Sequence, residues 1–305
     1  MWSSIGILIT VIIFLLLVIM ALPVGPSVSN CLSDMKSPLN MFLFQPPKIQ
    51  YSDHLVNRWA VKPWRSDGSR VPIRMERAKE QEPLDPDQRI WMIYSHGNAE
   101  NLMHCTYFIR EVSDSLGIDV MAWDYAGYGL NDGPSDERSP DGIHQSLQLV
   151  IEDGLSLGYT LQNLILWGYS LGTGPSIRMA RQLCEKRETN PKALILVAPF
   201  TSVKQVMREL TSSTLGSSLS GKLVDMFDER WNSMDNIRHV TCPTLILHGQ
   251  ADRLIPYQHG KRLQQQNTRH VEFVLMPNVG HVTFQWPVTF KSIQSFCKRH
   301  NIQIG

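Results

Sequence analysis

Three residues of this 305-residue chain have the types and the placement for acyl transfer. Ser170 stands between two glycines in "GYSLG", directly after the apolar run "LILW". Asp252 follows the run "TLIL" within "HGQADRLIP", and His281 follows "VEFVL" within "MPNVGHVTF". A serine hydroxyl is a poor nucleophile at neutral pH, so it needs a base within hydrogen-bond reach. That base needs an acid to hold its tautomer. Read in chain order, Ser170, Asp252 and His281 supply nucleophile, acid and base. The glycines two residues to either side suit a sharp strand-turn-helix bend, where a Cβ would clash with neighbouring backbone.

Each signal is modest alone, because a serine between glycines, an aspartate after a strand and a lone histidine are all common. Their conjunction decides the reading, since each falls at the end of its own strand in a fixed order. Other histidines compete less well. His239 and His270 precede strands and so belong to the opposite sheet edge, while His248 adjoins the turn that aims Asp252. His96 is read as shaping its own loop. Among the carboxylates, Asp225, Asp228 and Asp235 fall in an insertion, and Asp124 is read as bracing the "DYAGYG" turn. A developing oxyanion also needs donors, each contributing about 3–4 kcal/mol. The backbone N–H groups of Leu171, beside the nucleophile, and of Asn98, in the loop "SHGNAEN", are the candidates. For Asn98 the competing reading is a loop residue without a catalytic role.

The elements that must position these residues are a series of short apolar runs at 90–94, 120–123, 164–167, 193–197, 244–247 and 271–275. Each has the length of a strand buried on both faces. Amphipathic stretches such as 142–155 and 175–186 lie between them. Strand-helix alternation predicts an α/β fold with a mostly parallel sheet, right-handed crossovers and helices on both faces. In such sheets the working residues collect at the carboxyl ends of the strands. "SDG" at 66–68 predicts a turn between two extended stretches, a hairpin ahead of the alternation. The excursion at about 203–240, with the Ser/Thr-rich "TSSTLGSSLSG", is read as a short lid or a plain surface insertion.

Residues 5–22 carry no charge and end at Pro23. At about 1.5 Å per residue the run just matches a hydrocarbon core of about 30 Å, which predicts a transmembrane signal-anchor over 1–24. A cleaved signal peptide is the competing reading, though basic residues ahead of the apolar run are absent. Residues 25–45 read as a juxtamembrane linker and 46–303 as the catalytic domain. Cys31, past the span, is a candidate for palmitoylation. A single-pass membrane location follows; which side carries the catalytic domain stays open, the cytosolic side being favoured over the other. Five separated cysteines, no CxxC and no Cys/His cluster speak against a structural metal. A net charge of +1 gives no footing for nucleic acid. No cofactor is called for, and the oligomeric state is left open.

The segments "YSHGNAENL", "WDYAGYG", "WGYSLGTG" and "HGQADRLIP" resemble those of the α/β-hydrolase superfamily, over roughly residues 40–303. Together they are similar to the membrane-anchored α/β-hydrolase-domain lipases and protein depalmitoylases, a group also described as serine aminopeptidase-like. The stretch from "WGYSLGTG" to "APFTS" is similar to the branch that cleaves lysophosphatidylserine and monoacylglycerol, whereas "MPNVGHVTF" is closer to the depalmitoylase pattern. The resemblance implies the α/β-hydrolase fold and a serine hydrolase acting on a lysophospholipid, a monoacylglycerol or an S-acyl protein, with the membrane as a partner through the N-terminal helix. Two other classes remain in view. A peptidase of the same fold would need an acidic or polar site for a substrate amine. A non-catalytic interaction protein could reuse the fold as a scaffold.

Overall fold

The computed structural model describes residues 44, 46–47, 60–63, 70–79, 84–131, 139–186, 190–225 and 231–304. Their strands form one eight-stranded sheet. In chain order these are β1 (Ala60–Pro63), β2 (Arg70–Glu76), β3 (Trp91–Ser95), β4 (Asp119–Trp123), β5 (Leu164–Tyr169), β6 (Ala193–Val197), β7 (Thr244–Gly249) and β8 (Val271–Met276). Their spatial order is β1-β2-β4-β3-β5-β6-β7-β8. β2 pairs antiparallel with both β1 and β4, and every pairing from β4 to β8 is parallel. The expected hairpin is present as β1 and β2, while its turn at 64–69 lies outside the described residues.

All six expected strands exist, and most run one or two residues past the apolar stretch that announced them. β5 extends through Gly168 and Tyr169 because those residues still pair with Leu196 and Val197 of β6. Ser170 is therefore the first residue beyond the ladder. β3, β4, β5, β6 and β7 are buried along their whole length, as parallel strands covered on both faces must be.

Helices cover both faces. On one, Ile165 and Trp167 of β5 join Tyr94, Val120, Ile195 and Leu247 in a core with α1 (Leu102–Leu116) and α8 (Trp286–Arg299). On the other lie α2 (Pro140–Ser156), α3 (Thr173–Glu185) and α7 (Gln258–Gln266). Capping is orthodox: Asn101 accepts from Met103 and His104 N–H at the start of α1, and Gly117 ends it in the left-handed region at φ 59°. Ser139 caps α2 ahead of Pro140.

Between β6 and β7, α4 (Val203–Leu215) and α5 (Ser217–Asp225) pack on each other. Thr211 and Ser220 share a hydroxyl-hydroxyl bond of 2.6 Å across them, and Arg208 pairs with Asp225. Residues 202–225 group apart from the sheet domain, whereas Trp231 and the short α6 (Ser233–Asn236) belong to it. Arg181 of α3 reaches both Asp235 and Asn236, which accounts for this boundary.

The expected transmembrane helix is corrected. No helix among the described residues is long and apolar enough to cross a membrane. The longest, α2, has 17 residues and carries Asp141, Glu152 and Asp153. At 1.5 Å per residue it spans about 26 Å, short of the hydrocarbon core of about 30 Å. The stretch 5–22 and Cys31 lie outside the described residues. The single-pass location and the membrane partner rested on that helix, and neither is carried forward.

One helix-sheet contact shows how tightly the sheet is covered. A Cβ on Gly154 of α2 would stand 2.3 Å from the Trp91 ring, which is fully buried and donates through Nε1 to Thr160 O. Exchanging glycine for alanine inside a helix gains about 1 kcal/mol in propensity. Overpacking a rigid indole costs about 1–3 kcal/mol. Gly154→Ala is therefore expected to lower the calorimetric melting temperature by a few degrees. An unchanged or raised value would contradict this packing.

Candidate active site

The turn after β5 is built by backbone crowding. A Cβ on Gly172 would lie 2.0 Å from Ser95 O, and one on Gly168 would lie 2.4 Å from Gly172 O. Both positions sit far inside any tolerable contact, so the elbow closes only with glycine there. Ser170 between them adopts φ 51°, the left-handed region that β-carbon-bearing residues avoid. Ser170–Gly172 is a single 3-10 turn, stitched by Thr173 Oγ1 donating to Ser170 O at 2.7 Å, and it leads straight into α3.

From this turn Ser170 Oγ lies 2.9 Å from Nε2 of His281. The other ring nitrogen, Nδ1, lies 2.7 Å from Oδ2 of Asp252. The carboxylate assigns the tautomer: Nδ1 carries the proton and donates to Asp252, leaving Nε2 to accept from the serine. The other carboxylate oxygen, Oδ1, accepts from Leu254 and Ile255 N–H, both at 2.9 Å. Burial by itself would raise the Asp252 carboxyl. Hydrogen bonds from His248, His281 and the Ile255 backbone outweigh it and hold the group well below the usual carboxylate range.

The loops that carry acid and base are tied to each other. Gln250 N–H donates to Met276 O at 2.9 Å and Ala251 N–H to Val279 O at 2.8 Å. His248 Nε2 contacts Ile255 O at 2.8 Å and stands 3.6 Å from Asp252 Oδ2. His248 therefore braces the turn that presents the acid, the place the sequence assigned to it.

The other predicted donor loop follows β3. Tyr125 donates to His96 O and Tyr128 to Asn98 Oδ1, each at 2.5 Å. His96 is fully buried, stacks on Tyr125 at 3.9 Å and bonds through Nδ1 to Gly97 O at 2.8 Å. Burial pushes its imidazole down to about 4, so the ring is neutral. Asp124 accepts from Leu102 and Leu130 N–H and so braces the turn after β4, as expected. The same crowding that excludes a Cβ at Gly172 brings the loop of Asn98 beside the turn of Leu171.

Two residues beside the triad escaped the sequence. Tyr169 donates to His281 O at 2.7 Å and lies nearly parallel to the imidazole, with centroids 5.8 Å apart. Its position inside the glycine motif was visible, but not the carbonyl it would reach. Glu100 turns back on its own loop, accepting from Gly97 N–H at 2.7 Å. Burial raises its carboxyl above the usual range. The three-residue spacing from Gly97 was the available signal, since a carboxylate at that distance commonly closes a turn. No group of three or more His, Cys, Asp or Glu that could hold a metal occurs among the described residues.

Comparison with known proteins places this geometry in context. Residues 86–234 match the family model described as "Serine aminopeptidase, S33". The lysophosphatidylserine lipase ABHD12 of Danio rerio is 34% identical over 180 residues, covering 56% of this chain and 46% of that protein. The chain thus spans about half the length of that relative. A putative alpha/beta hydrolase, L404, of Acanthamoeba polyphaga mimivirus is 28% identical over 232 residues, covering 75% and 79% of the two chains. Among solved structures, MGS-M2, an alpha/beta hydrolase enzyme from a Medee basin deep-sea metagenome library, superposes with a TM-score of 0.58 at 16% identity, over 78% of this chain and 97% of that one. At that identity the likeness speaks for the fold. The chain has the serine-hydrolase-like fold of the α/β-hydrolase superfamily and is related at moderate identity to its lipase-family hydrolases.

Proposed function

We propose that the protein hydrolyses an ester of a lipid or similar long-chain acyl group through Ser170, His281 and Asp252. The observation that carries this reading is the unbroken hydrogen-bond chain from Ser170 Oγ through both imidazole nitrogens to Asp252.

The chemistry follows from the tautomer. His281 Nε2 takes the Ser170 proton as Oγ attacks the acyl carbon, and the negative charge moves to the former carbonyl oxygen. Leu171 and Asn98 N–H are the donors for that oxygen, one at the start of the turn into α3 and one in the loop after β3. The imidazolium that forms is stabilised by the ionised Asp252 and returns its proton to the departing alcohol. A water then repeats the sequence: His281 takes its proton, hydroxide attacks the acyl-serine, and Ser170 leaves with the proton that His281 returns. The first of these transfers crosses the 2.9 Å already set between Ser170 Oγ and His281 Nε2.

The lipid-type substrate is supported by the relatives rather than by the triad, which is common to many acyl-transfer enzymes. The lysophosphatidylserine lipase similarity covers only part of that protein. The substrate class is therefore tested directly, by comparing hydrolysis of a long-chain p-nitrophenyl ester, a long-chain acyl thioester and an aminoacyl anilide. The ester is expected to be turned over fastest, with Ser170→Ala lowering its kcat/KM by about 10³-fold or more. Faster cleavage of the anilide would favour a peptidase, and full activity of Ser170→Ala would remove the assigned nucleophile.

Asp252→Asn is expected to lower kcat by about 10⁴-fold, because a neutral amide no longer fixes the proton on Nδ1. The same substitution carries a pH signature. The native Asp252 carboxyl is depressed, so its stabilising contribution is fully present above the unfolded value of about 3.9. That contribution is lost as pH falls toward the lower native value. The melting-temperature gap between wild type and Asp252→Asn is thus expected to narrow between pH 5 and pH 3. A constant gap would contradict the depressed carboxyl.

A further inference from the structure

Glu100 is a half-buried carboxyl group beside the triad that the mechanism above does not use. Its side chain returns to its own loop, where Gly97 N–H donates to Oε2 at 2.7 Å. Its backbone N–H donates to Gly97 O at 3.3 Å. Residues 97–100 are therefore a turn closed twice between the same two residues, once through the backbone and once through the side chain. Asn98 is the second residue of that turn.

The neighbours show how completely this turn is determined. His96 O, Gly97 O and the Asn98 side chain are held by Tyr125, His96 and Tyr128. Glu100 supplies the acceptor for Gly97 N–H. A Cβ on Gly97 would meet the Tyr169 ring at 3.3 Å and Glu100 Oε2 at 3.1 Å. Tyr169 in turn holds His281 O. The turn that presents Asn98 N–H is thus packed between the Glu100 side chain and the tyrosine that seats the base.

Burying a carboxyl is costly. It raises the Glu100 carboxyl here, and a turn of this kind closes through its backbone bond alone in most loops. The second closure fixes the His96–Gly97 peptide, which carries Gly97 N–H, so the residue ahead of Asn98 is pinned on both sides, at its N–H by Glu100 Oε2 and at its carbonyl by Glu100 N–H. An oxyanion donor must stand within about 3 Å of an oxygen that exists only in the tetrahedral state, so small rotations are expensive in rate.

We propose that Glu100 is a positioning residue whose carboxyl, bonded to Gly97 N–H, locks the turn that aims Asn98 N–H at the oxyanion. This rests on the acyl-transfer reading above. The role belongs to the acceptor oxygen, so glutamine can replace it and alanine cannot.

The test uses the full chain with the p-nitrophenyl ester and an aryl or alkyl boronic acid, which forms a tetrahedral adduct on the nucleophile. Glu100→Ala is expected to lower kcat by about 10²-fold and to weaken the boronate by a similar factor, with KM held within about threefold. Glu100→Gln, which keeps an acceptor for Gly97 N–H, is expected to recover most of both losses. Melting temperatures of the two variants separate misfolding from mispositioning, because a merely structural residue would shift stability without singling out the tetrahedral adduct. A Glu100→Ala enzyme with wild-type kcat and boronate affinity would overturn the proposal. So would a Glu100→Gln enzyme as impaired as the alanine variant. A wild-type enzyme without Ser170-dependent turnover would instead sink the acyl-transfer reading, which keeps the two failures distinct.

Discussion

The site depends on one backbone contact, the approach of the turn at Gly172 to the end of β3 at Ser95. A Cβ at position 172 would stand 2.0 Å from Ser95 O and 2.8 Å from His96 O. That closeness has three consequences. It bends the chain between β5 and α3 sharply enough to place Ser170 at φ 51°. It sets Leu171 beside the loop of Asn98. It also leaves Ser170 at the carboxyl edge of the sheet, where the loops after β7 and β8 bring Asp252 and His281. A sheet of parallel strands supplies that common edge, and the glycines let two of its loops touch.

Electrostatics then divides the buried polar groups by task. His96 and His281 are both imidazoles near this edge, yet their surroundings differ. His96 has no exposed surface, stacks on Tyr125 and is driven neutral by burial. His281 is partly open, with Nε2 facing Ser170 and Nδ1 facing Asp252. Asp124 and Asp252 show the same contrast. The first spends its oxygens on the backbone of Leu102 and Leu130, and the second keeps Oδ2 for His281. Residue type alone did not separate these pairs, but position along the strands did.

Legibility in the sequence followed the range of the determining contact. Strands of five or six buried apolar residues and the glycines of the elbow are local features, and the order of chemistry along the strand ends followed from parallel topology. The extent of β5 was harder. Its last two residues, Gly168 and Tyr169, are held by pairing with β6 and not by apolar character. The place of Trp231, buried against Gly174 and Phe200, was likewise not legible, because residues distant in sequence anchor it. Tyr169 and Glu100 passed unnoticed for a related reason: one reaches a carbonyl 112 positions away and the other closes a turn whose bonds have no hydropathy signature. The apolar N-terminal run was the one strong periodic signal that led to a correction, since none of the described helices has the length and apolarity of a membrane span.

The central claim is that the elbow exists to present one activated hydroxyl. A fluorophosphonate reacts with such a hydroxyl and with few others, and peptide mapping by mass spectrometry locates the adduct. A single phosphonyl adduct on Ser170, lost when the probe is applied to His281→Ala, is the expected result. Adducts spread over other serines, or none on Ser170 in the folded protein, would contradict the account.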